Sequence, residues 1–331
     1  MSTSTNSTAN RPAIVTLTMN PALDITTSAR HVVPSDKVRC HGVRYDPGGG
    51  GINVARVARV LGAPVSAVFP AGGPTGDALA KLVSDSGVPF RWVKIAGNTR
   101  ESFTVNEEST RQQYRFVLEG PRLTFAEQAQ CLDELCMVAR TAEFVVASGS
   151  LPPGVPTDYY QRVADVCRSL DTLLILDTSG GGLQHISSGV ILLKASVREL
   201  RERTGGELAT ESEQVAAAQE LIQRGVTQAV VVSLGADGAL LVTPSVSQRF
   251  SAIRMRSGSG VGAGDAMVAA IAVGMTRSWS LAKAVQLGIA AGGAMLLTPG
   301  TAACSRDDVQ HLFELVAEPE DIEGIGAAVC R

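Results

Sequence analysis

The feature that most constrains the fold is a glycine-rich segment, residues 257–265, that runs directly into an alanine-rich apolar segment, residues 266–275. Four glycines alternate with small residues in the first segment, and the second contains no proline. This pattern predicts a loop followed by a buried helix. The first N–H groups of a helix have no partner within it, and glycines let a phosphate approach them closely. The junction therefore indicates an anion site.

Asp265 lies at the predicted start of this helix, where its charge would repel a phosphate. A carboxylate is expected there if it accepts a proton from a hydroxyl that attacks the phosphate. A glycine-rich turn with an N-cap aspartate is the alternative. A dinucleotide loop is disfavoured because residues 266–303 contain no acidic residue. A Walker A loop is disfavoured because no Lys-Ser or Lys-Thr pair follows the glycines.

Composition limits the classes of protein to which the chain can belong. With 331 residues, 45% of them hydrophobic and 18% charged, it is globular and long enough for one large α/β domain with an appendage or for two domains. A net charge of −3 indicates neither nucleic acid nor a membrane as partner. Six scattered cysteines without a Cys-x-x-Cys pair fit a reducing cytoplasm. Residues 1–12 are predicted to be a disordered tail, and residues 319–331 a C-terminal tail.

A second glycine run, residues 48–51, precedes another predicted helix with apolar positions at Val54, Val57 and Leu61. The backbone can again approach a ligand closely at these glycines. Asn53 lies in the first turn, where its amide offers both a donor and an acceptor to sugar hydroxyls. A purely capping role for Asn53 is the alternative.

These two segments together resemble the two signatures of the PfkB (ribokinase-like) carbohydrate kinases. One signature is Gly262-Ala-Gly-Asp265, and the other is the glycine run followed by Ile-Asn53-Val-Ala-Arg56. The resemblance covers roughly residues 14–313. It implies a ribokinase-like three-layer α/β/α fold with a mostly parallel sheet, in a kinase domain of residues 13–318. The alternation of predicted strands and helices favours the same architecture, and two polar β segments, about residues 19–45 and 93–119, are predicted to form a small β-sheet lid.

Within the family, the resemblance is strongest to kinases that act on fructose 6-phosphate. Arg100 and Arg115 lie on two alternating segments of a predicted hairpin and match arginines that hold the 6-phosphate. A guanidinium suits forked contacts to phosphate. The resemblance implies further substrate-binding residues, among them a lysine that reaches the site of a second subunit, Lys37, and residues that hold the sugar: Asp24, Gly48, Gly49, Gly50, Asn53 and Ser148.

The resemblance also implies the catalytic and nucleotide sites, with ATP and Mg²⁺ as cofactors and K⁺ as a further candidate. Asp265 is expected to be the general base, beside the backbone of Gly262, Ala263 and Gly264. Asp177 ends a predicted strand and is a candidate for organising the magnesium-phosphate region. The expected ATP-binding residues are Lys194, Ser196, Ser233, Gly235, Gly238, Ser257 and Gly260, with Glu199 holding Mg²⁺ through water and Ser259, Val261 and Gly300 holding a monovalent cation.

Two positions depart from the family pattern. Ser196 stands where an Asn-x-x-Glu motif has its asparagine, and Gly260 stands where a threonine is common. These departures leave a non-catalytic sensor of sugar phosphate or nucleotide as one alternative. Another phosphosugar kinase, acting on fructose 1-phosphate or tagatose 6-phosphate, is the other. Apolar alternation in the lid, Phe103/Val105 and Tyr114/Phe116, predicts pairing with a second subunit and hence a homodimer.

Overall fold

The protein is described here by a computed structural model, which covers residues 12–255, 260–298, 300 and 302–322. The strands are β1 (Ile14–Leu17), β2 (Ala22–Ala29), β3 (Cys40–Gly48), β4 (Val65–Ala71), β5 (Phe90–Lys94), β6 (Arg100–Glu107), β7 (Gln113–Val117), β8 (Phe144–Ser148), β9 (Leu173–Asp177), β10 (Val190–Ser196), β11 (Thr227–Ser233), β12 (Gly238–Val242), β13 (Ser247–Ser251) and β14 (Glu320–Asp321). The helices are α1 (Gly50–Val60), α2 (Gly73–Asp85), α3 (Phe125–Ala139), α4 (Tyr159–Ser169), α5 (Gly181–Gln184), α6 (Val197–Thr204), α7 (Glu211–Gln223), α8 (Ala263–Thr276), α9 (Leu281–Met295) and α10 (Arg306–Phe313).

Ten strands form one large sheet in the order β14-β13-β12-β11-β10-β9-β8-β1-β4-β5. Neighbouring strands from β11 through β5 run parallel, and β12, β13 and β14 continue the sheet as antiparallel strands at one edge. The mostly parallel sheet is therefore confirmed. Strand β14 lies within the segment predicted as a C-terminal tail.

Helices cover both faces of the large sheet. On one face, α1, α2, α8, α9 and α10 bury side chains such as Leu79, Ile271 and Ala290 against the strands. On the other face, α3 to α7 bury a second set that includes Leu135, Tyr160 and Leu221. Because helices remove the apolar side chains of the strands from water on both faces, the large sheet lies at the centre of the hydrophobic core. Within the described part of the chain, no helix is both long and apolar enough to cross a membrane.

Four strands form a second, small sheet in the order β3-β2-β6-β7. Strands β2 and β6 are parallel, whereas β2 with β3 and β6 with β7 are antiparallel pairs. The predicted hairpin of residues 100–106 and 111–117 is confirmed as β6 and β7. Side chains of residues two apart share a face of a strand, so this register places Asp24, Arg100 and Arg115 on one face and Tyr45 and Phe116 on the other.

Two boundaries differ from the prediction. The polar strand expected over residues 36–45 begins only at Cys40, because residues 34–36 form a turn in which Ser35 has a φ of 64°. Lys37 therefore lies in an exposed loop. Residues 93 and 94, predicted as part of the lid, belong to β5 and pair with β4 in the large sheet.

Candidate active site

Asp265 lies in the first turn of α8, after Gly262, whose φ of 79° is in the left-handed region that favours glycine. Two elements from distant parts of the chain contact its carboxylate. The Asn53 amide, on α1, donates to Oδ2 at 2.9 Å, and the Ser148 hydroxyl, at the end of β8, donates to Oδ1 at 3.4 Å. The structure therefore brings three predicted residues together, with Asn53 and Ser148 both on the Asp265 carboxylate.

The electrostatic surroundings of Asp265 raise its pKa to near neutrality. Loss of hydration on burial, followed by the negative charge of Asp177, raises the pKa of Asp265 from 3.8 to about 7. Hydrogen bonds from Asn53 and Ser148, and the positive charge of Lys194, oppose this rise. A carboxylate with such a pKa binds a proton more readily than an ordinary surface aspartate and is still ionised above neutrality.

Lys194 and Asp177 form a buried ion pair at the ends of β10 and β9. The Lys194 ammonium lies 3.2 Å and 3.3 Å from the two carboxylate oxygens of Asp177, and the side chains are 9% and 11% exposed. Burial acts to lower the pKa of Lys194, but the charges of Asp177, Glu199 and Asp265 outweigh it and raise that pKa. The Lys194 ammonium would lie 3.0 Å from a Cβ atom at Gly264, so a fixed positive charge stands beside the start of α8.

Ser196 and Glu199 cap the N-terminus of α6. The Ser196 hydroxyl accepts a hydrogen bond from the Glu199 backbone N–H, and Glu199 Oε2 accepts from the Ser196 N–H at 2.7 Å and from its hydroxyl at 2.8 Å. The serine that departs from the family pattern thus holds Glu199 in place. Asp177, which the sequence offers as an organiser of the magnesium-phosphate region, is the partner of Lys194, and its role toward magnesium and phosphate stays a prediction.

A cavity of about 770 Å³ lies next to the junction between the glycine-rich loop and α8. Its volume is within the usual size range of ligand pockets. Ser233, Gly235, Gly238 and Gly260, all predicted to bind ATP, line it. The cavity also has an apolar wall that sequence reasoning missed, made of Ala252, Ile253, Met255, Met267, Ile289 and Leu296.

The missed wall had one usable signal in the sequence. Gly292 and Gly293 interrupt an otherwise apolar helix, and glycines inside a helix often mark close approach of another group. Both line the cavity, and a Cβ atom at Gly292 would lie 3.4 Å from the Ala263 carbonyl oxygen. Glycine residues and apolar side chains together fit an adenine ring and a phosphate chain, so the donor set is compatible with ATP.

The glycine run before α1 packs closely on the other predicted sugar-binding residues. A Cβ atom at Gly48 would lie 2.3 Å from the Asp24 carboxyl group, and one at Gly50 would lie 2.2 Å from the Ser148 hydroxyl. Gly49 precedes α1 with a φ of 110°. These contacts bring Asp24, the glycine run and Ser148 into one region beside Asp265.

The two predicted phosphate-binding arginines occupy different environments. Arg100 donates to the carbonyl oxygens of Leu118, at 3.1 Å, and Asn20, at 2.9 Å, and burial, partly offset by Asp24, lowers its pKa. Arg115 is exposed and lies opposite Thr104. Thr104 is four residues from Arg100 along β6, so the Cα atoms of Arg100 and Thr104 are about 13 Å apart. Arg115 lies beside Thr104 on the neighbouring strand.

Other predicted residues lie at the margins of this region or outside the described residues. Gly300 lies against the small sheet, where a Cβ atom would be 3.1 Å from Asp46 Oδ2 and 3.2 Å from the Thr26 hydroxyl. Val261 belongs to the loop before α8. Ser257 and Ser259 lie outside the described residues.

The fold and this site define the chain as a sugar kinase of the ribokinase-like class, and it belongs to the PfkB family: the model of the pfkB family carbohydrate kinases matches residues 17–308. An ATP-dependent 6-phosphofructokinase isozyme 2 of Mycobacterium tuberculosis is 69% identical over 312 residues, which cover 94% of this chain and 92% of that protein.

Solved structures of known proteins share the fold. Phosphofructokinase-2 from Escherichia coli in complex with fructose-6-phosphate has a TM-score of 0.86 at 36% identity, and its complex with potassium has a TM-score of 0.87 at 37% identity. Each covers 92% of this chain and 99% of that chain. An Arabidopsis thaliana ribokinase complexed with ribose and ATP, at 20% identity and a TM-score of 0.72, covers 92% of this chain and 99% of that chain. The predicted family and ribokinase-like fold are confirmed.

Proposed function

We propose that this chain transfers the γ-phosphate of ATP to the 1-hydroxyl of fructose 6-phosphate and so forms fructose 1,6-bisphosphate and ADP. The observation that carries the proposal is the Asp265 carboxylate, which belongs to the junction that lines the cavity and is contacted by Asn53 and Ser148 from the glycine-run side. The similarity to a Mycobacterium 6-phosphofructokinase, and to an Escherichia phosphofructokinase-2 solved in complex with fructose-6-phosphate, supports the choice of fructose 6-phosphate.

Asp265 takes the proton of the attacking hydroxyl as the new O–P bond forms and the bond between the β-bridging oxygen and the γ-phosphorus breaks. Backbone N–H groups of residues 261–264 stabilise the charge on the transferring group. The Ala263 N–H donates to the Gly260 carbonyl oxygen at 3.2 Å, so Gly262 and Gly264 are the stronger candidates for this role. The Lys194 ammonium adds a positive charge at the same place.

The sugar is oriented by Asp24, Gly49 and Asn53, and its 6-phosphate is held by Arg100 and Arg115. Support comes from the shared face of the small sheet on which Asp24 and both arginines lie. Arg115 forms no ion pair with another described residue, so its guanidinium is available for a phosphate. Arg100 is oriented by its two carbonyl contacts.

The cofactors are ATP with Mg²⁺, and K⁺ is a further candidate. ATP would occupy the cavity beside α8, and Mg²⁺ would neutralise charge on its phosphates. Glu199 would hold Mg²⁺ through water with Oε1, which lies 3.8 Å from Arg198 Nη2, because Oε2 accepts both hydrogen bonds from Ser196. Val261, Ser259 and Gly300 would hold K⁺, and the potassium complex of the Escherichia coli relative supports this proposal.

The functional unit is a homodimer joined by the small sheets. One register row across that sheet carries Tyr45, Ile25, Phe103 and Phe116 on the face opposite Arg115, and Tyr45 and Phe116 are each 54% exposed. Apolar area exposed over adjacent strands favours association. Lys37, in its exposed loop, would then reach the partner's site. The free thiols of the described cysteines fit a cytoplasmic location.

The test is ADP release with Mg-ATP and a panel of fructose 6-phosphate, fructose 1-phosphate, tagatose 6-phosphate, fructose, ribose and adenosine. Preferred turnover of fructose 6-phosphate over fructose is the expected result. Preference for fructose 1-phosphate or tagatose 6-phosphate would replace the substrate and keep the reaction class. ATP binding without turnover of any acceptor would favour the sensor.

A further inference from the structure

A row of charged side chains connects the small sheet to the active-site carboxylate. Arg44 and Asp46 lie on β3, and Arg56 lies on α1. Arg44 Nε and Arg44 Nη2 donate to the two carboxylate oxygens of Asp46 at 2.8 Å and 3.0 Å. Arg56 Nη2 lies 3.9 Å from Asp46 Oδ1, and the side chains of Arg56 and Asp46 are 9% and 5% exposed. Arg56 belongs to one of the two signature segments, but the proposed chemistry gives it no role.

Arg56 continues this row to Asn53. Its Nη1 donates to the Pro47 carbonyl oxygen at 3.2 Å and contacts Asn53 Oδ1 at 3.5 Å. On its other side, the Asn53 amide donates through Nδ2 to Asp265 Oδ2 at 2.9 Å. The Asn53 amide therefore stands between a guanidinium and a carboxylate.

Electrostatics allows this amide only one orientation. An asparagine side chain has an acceptor oxygen and a donor nitrogen of almost equal size, so its orientation depends on its neighbours. With Arg56 on one side and Asp265 on the other, the flipped amide would set its oxygen against the carboxylate and its NH₂ group against the guanidinium. In the observed orientation the partially negative Oδ1 faces the guanidinium and the partially positive NH₂ group faces the carboxylate.

We infer that Arg56 is a positioning residue for the phosphoryl transfer: anchored by Asp46 and Pro47, it fixes the Asn53 amide so that Nδ2 points at Asp265. The inference rests on the proposed role of Asp265 as the base. Because Asp46 and Pro47 belong to the small sheet, the same contacts tie the position of that sheet to the orientation of the base.

Charged groups surround both Asp265 and Arg56, and they decide the direction in which the pH–rate profile should move. Asp265 faces Asp177 and Lys194 on β9 and β10 in addition to Asn53 and Ser148. Arg56 faces Asp46, Arg44 and Asp24 on the two strands packed against it, and burial lowers its pKa, while Asp46 opposes that change. Since the Asn53 hydrogen bond lowers the pKa of Asp265, loosening the Asn53 amide must move the acid limb of the pH–rate profile to higher pH.

The test compares Arg56→Lys with Arg59→Lys in the full-length protein. Lysine keeps a charge for Asp46 but cannot reproduce the planar fork. Arg59 lies one turn further along α1 and is exposed, which makes it the matched control. Arg56→Lys is expected to lower kcat about tenfold, in line with loss of one hydrogen bond to a charged group, and to move the acid limb of kcat/KM up by about 0.5–1 pH unit. Arg59→Lys is expected to change neither.

A double-mutant cycle separates positioning from a structural contribution. In an Asn53→Ala background, Arg56→Lys should cause no further fall in kcat, because the amide it positions is gone. The inference would be overturned if the two losses in kcat multiply in the double variant, or if the Arg56 and Arg59 variants have equal kinetics. If Arg56→Lys does not fold, Asp46→Asn decides: it should lower kcat and shift the acid limb in the same direction by a smaller amount, and wild-type kinetics in that variant would also overturn it. Full activity of Asp265→Asn would instead refute the proposed base, whatever the Arg56 variants do.

Discussion

The Asn53 amide and the Asp265 carboxylate are joined by a 2.9 Å hydrogen bond across 212 positions of the chain. This bond connects the first turns of α1 and α8, each of which follows a glycine-rich segment. The two glycine-rich segments, which lie far apart in the sequence, therefore meet in one site. A sugar hydroxyl placed between them would face a proton acceptor and a phosphate site together.

The first prediction concerns Asp265→Asn. Removal of the proton acceptor should lower kcat by about 10²–10⁴, the usual contribution of a general base, while the Kd for ATP changes less than about threefold. Steady-state ADP release and calorimetric ATP titration measure the two quantities. Asp307→Asn, an exposed first-turn carboxylate of α10, is the control and should be silent. An equal loss of ATP binding would contradict the role.

The second prediction concerns pH. Burial and the charge of Asp177 raise the pKa of Asp265 to about 7, so the rate should rise with pH through about 7 as the carboxylate ionises. The raised pKa also means that ionisation opposes folding: the cost is absent well below pH 4, grows from about pH 4 to about pH 7 and is complete above it. Asp265→Asn should therefore increase the free energy of unfolding by about 4 kcal/mol at pH 8 and by less than about 1 kcal/mol at pH 4. Denaturant titrations at both pH values check the difference, and an equal increase at both would refute it.

The third prediction concerns the buried ion pair. Lys194→Met would leave the Asp177 carboxylate buried without its cation and should cost about 3–5 kcal/mol of unfolding free energy. Lys81→Met is the matched control, since Lys81 pairs with Asp85 at 2.8 Å while 74% exposed, and should cost less than about 1 kcal/mol. Urea denaturation measures both. A similar loss of unfolding free energy in the two variants would show that burial adds nothing to the contribution of the Lys194 ion pair.

The fourth prediction tests the phosphate role of Arg115. Arg115→Met should raise the KM for fructose 6-phosphate about 10–100-fold, the equivalent of one charge-assisted hydrogen bond, without changing the KM for ATP. Because Arg115 is exposed, the melting temperature should not change. Arg91→Met, an exposed arginine on β5, is the control. An unchanged KM for the sugar phosphate would remove Arg115 from the site.

The fifth prediction tests the dimer. Phe116→Asp introduces a charge into the apolar row of the small sheet and should convert the protein to a monomer in sedimentation velocity experiments. Phe125→Asp is a demanding control, because Phe125 is 80% exposed at the start of α3, outside that sheet. A wild type that sediments as a monomer, or a dimer that withstands Phe116→Asp, would contradict pairing through this face.

Local patterns were sufficient to predict much of the fold. The apolar positions of residues 124–141 predict a helix, which the structure contains as α3, with the Thr124–Glu127 capping box at its start. The apolar run of residues 144–149 predicts a core strand, which is β8. Such elements depend on periodicity and caps within a few residues, which a sequence displays directly.

Contacts between distant residues could not be predicted in this way. Strands β5 and β13 have mixed polar and apolar sequences, and their places, at one edge of the large sheet and next to the other edge, depend on which neighbours remain unpaired. Nothing near Asp177 in the sequence identifies Lys194 as its partner, and nothing near Arg56 indicates Asp46. The Asp177–Lys194 pairing arises because parallel strands align their ends at one edge of the assembled sheet. Arg56 meets Asp46 because α1 packs against β3 of the small sheet.

The central position of β1 has a consequence for synthesis. This strand is made first, yet its two neighbours are β4 and β8, and Asp265 meets its partners only when α8 has been made. On the ribosome, β1 must therefore wait, with an unpaired side, until about residue 148 has emerged. No nascent chain that ends before about residue 300 holds all the groups of the site. Enzyme activity in this chain is thus a late reporter of translation, and chaperone dependence should be greatest for ribosome-bound chains that end between β4 and β8.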